Sequence, residues 1–331
     1  MTITVKKSGL LSTIQDSGRY GSQQYGVIAS GAMDTLSLRI ANMLVGNHEH
    51  EAAIEMTLLG AHFEFQKDSL ISICGGDMSP VLNDQPIRMR RPIIVKKGSI
   101  LTFSSAKLGC RAYVAVAGGF DVPEVMGSKS TYLRAGIGGF NGRALKNGDI
   151  LSIGEMSLQA KKQLEAYNPS LSLSEIDWSV SSEFFPFQQQ ERNIRVIKGR
   201  QFDDFSEESK ANFFTERFEI TPQSDRMGYR MKGPVLKLDK EQEMISEAVS
   251  FGTIQVPSEG NPIVLLADRQ TTGGYPKIAQ IASIDLPFIS QLKPGERVQF
   301  IEISLDEAQQ LYLNREKKIQ QLKQGLLLKT S

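Results

Sequence analysis

Cysteine, histidine and tryptophan are all scarce. Two cysteines, Cys74 and Cys110, in 331 residues cannot build a disulfide framework, so reduced thiols and a cytoplasmic location are expected. Two of the three histidines fall in His48-Glu49-His50. Zinc helices want histidines four apart rather than two, so this run reads as a surface loop and no metal is expected. Positive charge is not in excess: 38 Lys and Arg stand against 37 Asp and Glu, with a net charge of +1. Nucleic-acid binding needs a concentrated cationic face and is set aside. No apolar run approaches the roughly 18 residues of a membrane span. The start, Met1-Thr2-Ile3-Thr4-Val5-Lys6-Lys7, lacks the apolar core of a signal peptide. The P-loop pattern is absent, as is a dinucleotide fingerprint in a βαβ setting. What remains is a soluble chain long enough for about two domains.

The most informative stretch runs from Gln255 to Pro276. Ile263-Val264-Leu265-Leu266-Ala267 is short, β-branched and bounded by turn residues, which predicts a strand buried on both faces. Polar residues follow without a break: Asp268, Arg269, Gln270, Thr271 and Thr272, then Gly273-Gly274. Polar groups at the tip of a rigid strand are how sites are built. The glycines are free to take positive φ and to offer successive N–H groups to an anion. Pro276 makes Tyr275 extended and restarts the chain as a strand, Ile278 to Ile284. A bare β-hairpin with a glycine turn fits the same residues.

Earlier, Thr13-Ile14-Gln15-Asp16-Ser17-Gly18-Arg19-Tyr20-Gly21 is a polar turn in which Asp16 and Arg19 either act on a ligand or pair with each other. Asp34 is placed to cap a helix whose face carries Leu36, Ile40, Met43 and Leu44, and Gly46-Asn47 ends it. From Leu58 to Ile153, short strands punctuated by glycine turns indicate a sandwich or barrel. One phrase recurs: Leu145-Lys146-Asn147-Gly148-Asp149 before a strand, Leu292-Lys293-Pro294-Gly295-Glu296 before another, and more loosely Val95-Lys96-Lys97-Gly98-Ser99. Diverged copies of one β architecture fit this. The division expected is a first β domain at 1–165, a serine-rich linker at 166–192, a second β domain at 193–303 and a C-terminal helix at 304–331. That helix opens on the capping box Ser304-x-x-Glu307. It runs to about Leu326, with a stripe of Leu311, Leu313, Ile319 and Leu322.

Several segments together carry a resemblance to a known family. They are Thr13 to Arg19, Gly31-Ala32-Met33-Asp34, Leu44-Val45-Gly46-Asn47, Arg111 to Gly119, Gly127-Ser128-Lys129-Ser130-Thr131 and Gly138 to Arg143. Ser224-Asp225-Arg226-Met227-Gly228-Tyr229-Arg230 and the Gln255–Pro276 stretch complete the set. In this order they resemble the KipA / 5-oxoprolinase C-subunit (PxpC) family, of the same superfamily as the carboxyltransferase domain of urea amidolyase (allophanate hydrolase subunit 2). Cys74-Gly75-Gly76-Asp77 departs from the family's Thr-Gly-Ala-Asp. With no biotin-carrier tetrapeptide Ala-Met-Lys-Met, the chain is expected to hold no covalent biotin and to resemble the oxoprolinase subunit more than the urea enzyme.

The resemblance implies a mainly β fold of two cyclophilin-like β-barrel domains with the site between them. It implies work with a KipI-like 5-oxoprolinase B-type subunit plus an A-type subunit, using ATP at the level of the complex to open 5-oxoproline to glutamate. Two other roles go with the superfamily: a biotin-dependent carboxyltransferase, and a regulatory binding protein that counters KipI at a sporulation sensor kinase. For lactam opening, Arg19 and Arg226 are candidates to grip the substrate carboxylate. The N–H groups of Gly273 and Gly274 and the hydroxyls of Thr271 and Thr272 are candidate oxyanion donors. Asp268 and Asp16 are candidate bases. Asp34, Gln255, Gln270 and Tyr275 are expected to line the substrate. Structural pairing of the same Asp and Arg residues is the alternative.

Overall fold

The computed structural model describes residues 2–165, 174–175, 177–185, 193–240 and 244–330. Most of the 166–192 linker, including Asn168-Pro169, lies outside the described residues. Two compact units emerge: one of Met1–Tyr20, Ser30–Gln188 and Gln320–Ser331, the other of Gly21–Ala29 and Gln189–Ile319.

The first unit holds β1 (Thr2–Lys7), β2 (Leu11–Gln15), α1 (Thr35–Leu44), β3 (Ala53–Thr57), β4 (His62–Phe65), β5 (Ser69–Asp77), β6 (Val81–Leu82) and β7 (Gln85–Pro86). β8 (Pro92–Val95), β9 (Ile100–Thr102), β10 (Leu108–Val116), β11 (Ile150–Ser152), α2 (Leu158–Glu165) and β12 (Ser174–Glu175) follow. They form two six-stranded sheets, ordered β11-β1-β4-β9-β6-β7 and β12-β8-β5-β10-β3-β2. The residues explain the layering. β1 and β4 alternate, burying Ile3, Val5, Phe63 and Phe65 and leaving His62 half-buried, as a one-sided strand must. These side chains meet Ile71, Ile73, Ile93, Val95, Val114 and Val116 of the other sheet in a single core. β5 is different, because nearly its whole length is buried. Its second face is covered by α1, and Ser72 Oγ donates to the Ala41 carbonyl at 2.6 Å. β5 runs on through Gly75 and Gly76 to Asp77.

The second unit holds β13 (Asn193–Lys198), α3 (Glu207–Thr215), β14 (Arg217–Ile220), β15 (Gly228–Lys232), β16 (Glu247–Ala248), β17 (Thr253–Gln255) and β18 (Ile263–Leu265). β19 (Thr272–Gly273), β20 (Lys277–Ile281), α4 (Leu286–Ile289), β21 (Arg297–Glu302) and α5 (Leu305–Thr330) complete it; from Gln320 onward α5 counts with the first unit. Seven strands close a barrel in the order β13-β20-β17-β18-β15-β14-β21. All neighbours are antiparallel except β13 and β21, which run parallel. The fold is therefore mainly β. α3 plugs the barrel with Phe213, which stacks on Phe300 of β21 at 4.7 Å and 15° and packs beside Phe218. Burying one such ring contributes about 1.5–3 kcal/mol.

The recurring phrase is one turn used three times. Gly98, Gly148 and Gly295 have φ of 83°, 88° and 88°, a left-handed conformation that favours glycine. In each, the residue after the glycine donates back to the lysine carbonyl three positions earlier. Each glycine N–H also reaches a neighbouring strand or its end: Phe65, Val5 and Ile220 respectively, at 2.7, 2.8 and 2.8 Å.

Candidate functional site

In the first unit, Asp16 ends β2 and binds the Gly127–Thr131 loop. Its Oδ1 accepts from Ser128 Oγ at 2.7 Å, Ser130 Oγ at 2.5 Å and its own turn's Gly18 N at 2.8 Å. Its Oδ2 accepts from Lys129 N at 2.6 Å. Four donors on one carboxylate account for about all of its lone-pair sites. In this conformation the group is a clamp on the Gly127–Thr131 loop. Ser128 and Ser130 were not foreseen as partners, although the polar glycine segment holding them stood out in the sequence.

Arg19 is fully buried. Its Nε donates to the Val125 carbonyl at 2.8 Å and its Nη2 to the Ser130 carbonyl at 3.0 Å. The guanidinium thus supports the same loop that Asp16 holds. Asp34 caps α1, accepting from Ser37 N at 2.9 Å and Ser37 Oγ at 2.6 Å. Its own N–H donates to Tyr113 Oη, which donates to Glu55 Oε2 at 2.7 Å. Burial, reinforced by Glu55 and Asp34, pushes the Tyr113 phenol well above its ordinary pKa, so the hydroxyl stays protonated as a fixed bridge.

The His48-Glu49-His50 loop is only partly a surface feature. Both histidines are exposed, but Glu49 is buried. Arg39 Nε and Nη2 contact Glu49 Oε2 at 2.8 and 2.7 Å, and Lys323 Nζ lies 3.4 Å from Oε1. His50 Nδ1 is 2.6 Å from Ser17 Oγ.

In the second unit, Arg226 and Asp268 form a buried two-point pair: Nε to Oδ2 at 2.9 Å and Nη2 to Oδ1 at 3.1 Å. The backbone repeats the contact, with Asp268 N donating to the Arg226 carbonyl at 2.8 Å. This is the structural pairing that the sequence left open. β18 is shorter than predicted and not buried on both faces: Val264 points inward while Ile263 and Leu265 are half-buried, as the wall of a closed barrel requires. Past Asp268, Gln270, Thr272 and Tyr275 are exposed and Thr271 is half-buried. β19 pairs with β16, Gly273 facing Glu247 and Thr272 facing Ala248.

The glycine expectation needs correction. Neither Gly273 nor Gly274 has positive φ. Gly273 is there for space: a Cβ on it would sit 2.6 Å from Gln255 Nε2. Gln255 is buried, and that same nitrogen donates to the Tyr275 carbonyl at 3.2 Å. Gln255, Gly273 and Tyr275 therefore come together, beside a turn that presents Gln270, Thr271 and Thr272 outward.

Comparison with known proteins decides the family. Residues 25–302 match the model of the carboxyltransferase domain, subdomain A and B. The chain is 37% identical over 320 residues to the C subunit of 5-oxoprolinase from Escherichia coli K12, covering 97% of each chain. The chain belongs to the 5-oxoprolinase C-subunit family. A second relative with that name, from Haemophilus influenzae, is 38% identical over 94% of each chain. The crystal structure of Kluyveromyces lactis urea carboxylase superposes with a TM-score of 0.86 at 32% identity. It covers 96% of this chain but only 29% of that longer one. The family's name makes its members one part of a larger enzyme. Among the described residues, no helix is long and apolar enough to cross a membrane.

Proposed function

We propose that the chain is the C subunit of an ATP-dependent 5-oxoprolinase, converting 5-oxoproline to glutamate together with a KipI-like B-type subunit plus an A-type subunit. The observation that carries this reading is end-to-end similarity to a subunit of that name, with 97% of both chains aligned. A lactam carbonyl is a poor electrophile. Transfer of the terminal phosphate of ATP to its oxygen releases ADP and activates the carbon for attack by water. The C–N bond then breaks, the ring nitrogen takes a proton, and a second water releases phosphate to leave glutamate. Such chemistry needs a cation for the substrate carboxylate, donors for developing negative charge and a base.

The second unit carries a candidate for each of these groups. In this reading Thr271, Thr272 and the Gly273-Gly274 backbone are donors, with Gln270, Gln255 and Tyr275 beside them. Arg226 meets the substrate carboxylate, and Asp268 is the base once substrate competes for its partner. Asp16, Arg19 and Asp34 shape the first unit's loop and helix. The test is co-purification with the B-type and A-type partners and assay of ATP-dependent glutamate formation. No glutamate from the reconstituted complex would end this reading. The likeness to urea carboxylase favours a second one, a carboxyltransferase taking its carboxyl group from biotin on another chain. Avidin separates the two, because it blocks only the biotin-dependent reaction.

A further inference from the structure

Lys277 opens β20 and is fixed from both sides. Between Ile254 and Gln255 the pairing of β17 with β20 slips: Ile254 faces Ala279, but Gln255 faces Lys277. Ile278 is the extra residue of a β-bulge, a device that re-aims a side chain. On the other side, Lys277 N donates to Oε1 of buried Gln201 at 3.1 Å, and Gln201 N donates back to the Lys277 carbonyl at 3.2 Å. Gly199 permits this approach, since a Cβ there would sit 2.2 Å from that carbonyl. Only 12% of the Lys277 side chain is exposed.

The ammonium meets a carboxylate. Lys277 Nζ lies 2.7 Å from Glu247 Oε2, and Arg200 Nη1, at the exposed rim, lies 2.7 Å from Oε1. One cation per oxygen is how a carboxylate ligand is gripped. The residues close a ring: Lys277 faces Gln255, whose amide fills the space left by Gly273, and Gly273 faces Glu247. Glu247 is carried differently from Lys277. It stands on the two-residue β16, which among the described residues pairs with β19 alone, outside the barrel. Exposed ion pairs add little to stability, and short ladders open more readily than core strands. The cation is fixed, and its anion sits on a flap.

Register sets this ring apart from Arg226. Gln255 pairs with Ile263 at the start of β18, whereas Arg226 and Asp268 lie beyond its other end, Leu265. A small acid lying against Gln255, Gly273 and Tyr275 therefore meets Lys277 before Arg226. We propose that Lys277, with Arg200 at the rim, is the seat for the carboxylate of that small acid, and that Glu247 fills the seat as an internal competitor until the acid displaces it. The proposal rests on the 5-oxoproline reading above and moves one role within it, from Arg226 to Lys277.

The experiment titrates the full chain by calorimetry with 5-oxoproline and with pyrrolidin-2-one, the same ring without its carboxylate. 5-Oxoproline is expected to bind, and pyrrolidin-2-one to bind at least about tenfold more weakly, the worth of one hydrogen bond to a charged group. Lys277→Gln should bring 5-oxoproline down to the level of pyrrolidin-2-one, and Lys277→Arg should keep it. Glu247→Gln should do the opposite and tighten 5-oxoproline several-fold. A purely structural ion pair gives both variants the same sign, since each breaks the same contact. Like effects of Lys277→Gln and Glu247→Gln, equal binding of the two rings, or no binding by either the wild-type or the Glu247→Gln chain would each overturn the proposal. If Lys277→Gln does not fold, Glu247→Gln decides alone, and unchanged or weaker binding overturns the proposal. The functional reading is judged separately. A reconstituted complex that forms glutamate with an unchanged KM when it carries Lys277→Gln would remove this seat and leave that reading intact, whereas a complex that never forms glutamate would remove that reading whatever the titration shows.

Discussion

Arg226 and Asp268 hold each other at two points, side chain to side chain and again backbone to backbone, just before β15 and just after β18 of the second unit's barrel. Taking away one partner strands a buried charge, which costs about 3–5 kcal/mol. Asp268→Ala should therefore lower the urea midpoint sharply as well as activity. Asp268→Asn keeps the shape and one acceptor, and it is the better probe of chemistry. A reconstituted complex carrying Asp268→Asn is expected to lose ATP-dependent turnover; full turnover would exclude Asp268 as the base.

Asp16 gathers four donors onto one carboxylate. Hydrogen bonds to a charged group are worth about 1.5–3 kcal/mol each, though not additively. Asp16→Ala should release residues 127–131 selectively. Hydrogen exchange at Lys129 N and Ser130 N is the measure, and unchanged protection there would contradict the clamp.

Gly273→Ala would drive a methyl into the Gln255 amide, 2.6 Å away from Nε2. Overpacking of this kind costs about 1–3 kcal/mol. The cost should largely vanish in a Gln255→Ala background, because the clash and its partner disappear together. A double-mutant cycle by urea denaturation reads this, and an undiminished cost in the double variant would show that the glycine serves something other than space.

Asp149 sets the acid limb of stability for its turn. Arg143 grips it at 2.7 and 2.8 Å, and Lys146 N donates to it at 2.7 Å. The Arg143 hydrogen bonds, followed by the Lys146 amide, outweigh burial and hold its carboxyl below the ordinary range. A folded pKa below the unfolded one contributes stability above about pH 4 that is lost as pH falls through the lower folded value. Asp149→Asn should reduce stability at about pH 6 and flatten its fall below about pH 4. A fall as steep as wild type would locate that titration elsewhere.

Local features were readable and remote ones were not. Asp34 as a cap, Ser304 with Glu307 and the repeated lysine–glycine turn each depend on residues within four positions, and each stands where its chemistry put it. The Asp16 clamp joins residues 112 to 114 positions apart, and no periodicity announces such a meeting. Gly273-Gly274 misled for a related reason. A glycine needed for backbone freedom and one needed for space look alike until the side chain opposite, here Gln255, is known. The strand at Ile263 was read as doubly buried because a barrel wall and a central strand share the same apolar letters. Whether Arg226, Asp268 and Thr272 act on a substrate was not legible at all, since a structural ion pair and a catalytic one are spelled identically.

The parallel pairing of β13 with β21 has a consequence for how the second unit comes into being. Asn193 pairs with Gln299, so the earliest strand of the barrel waits for the latest one. Until translation has carried the chain past Glu302, β13 and β14 each show an unsatisfied flank to the surrounding cell. A ribosome that stalls before that point would leave two sticky borders rather than a smaller stable piece.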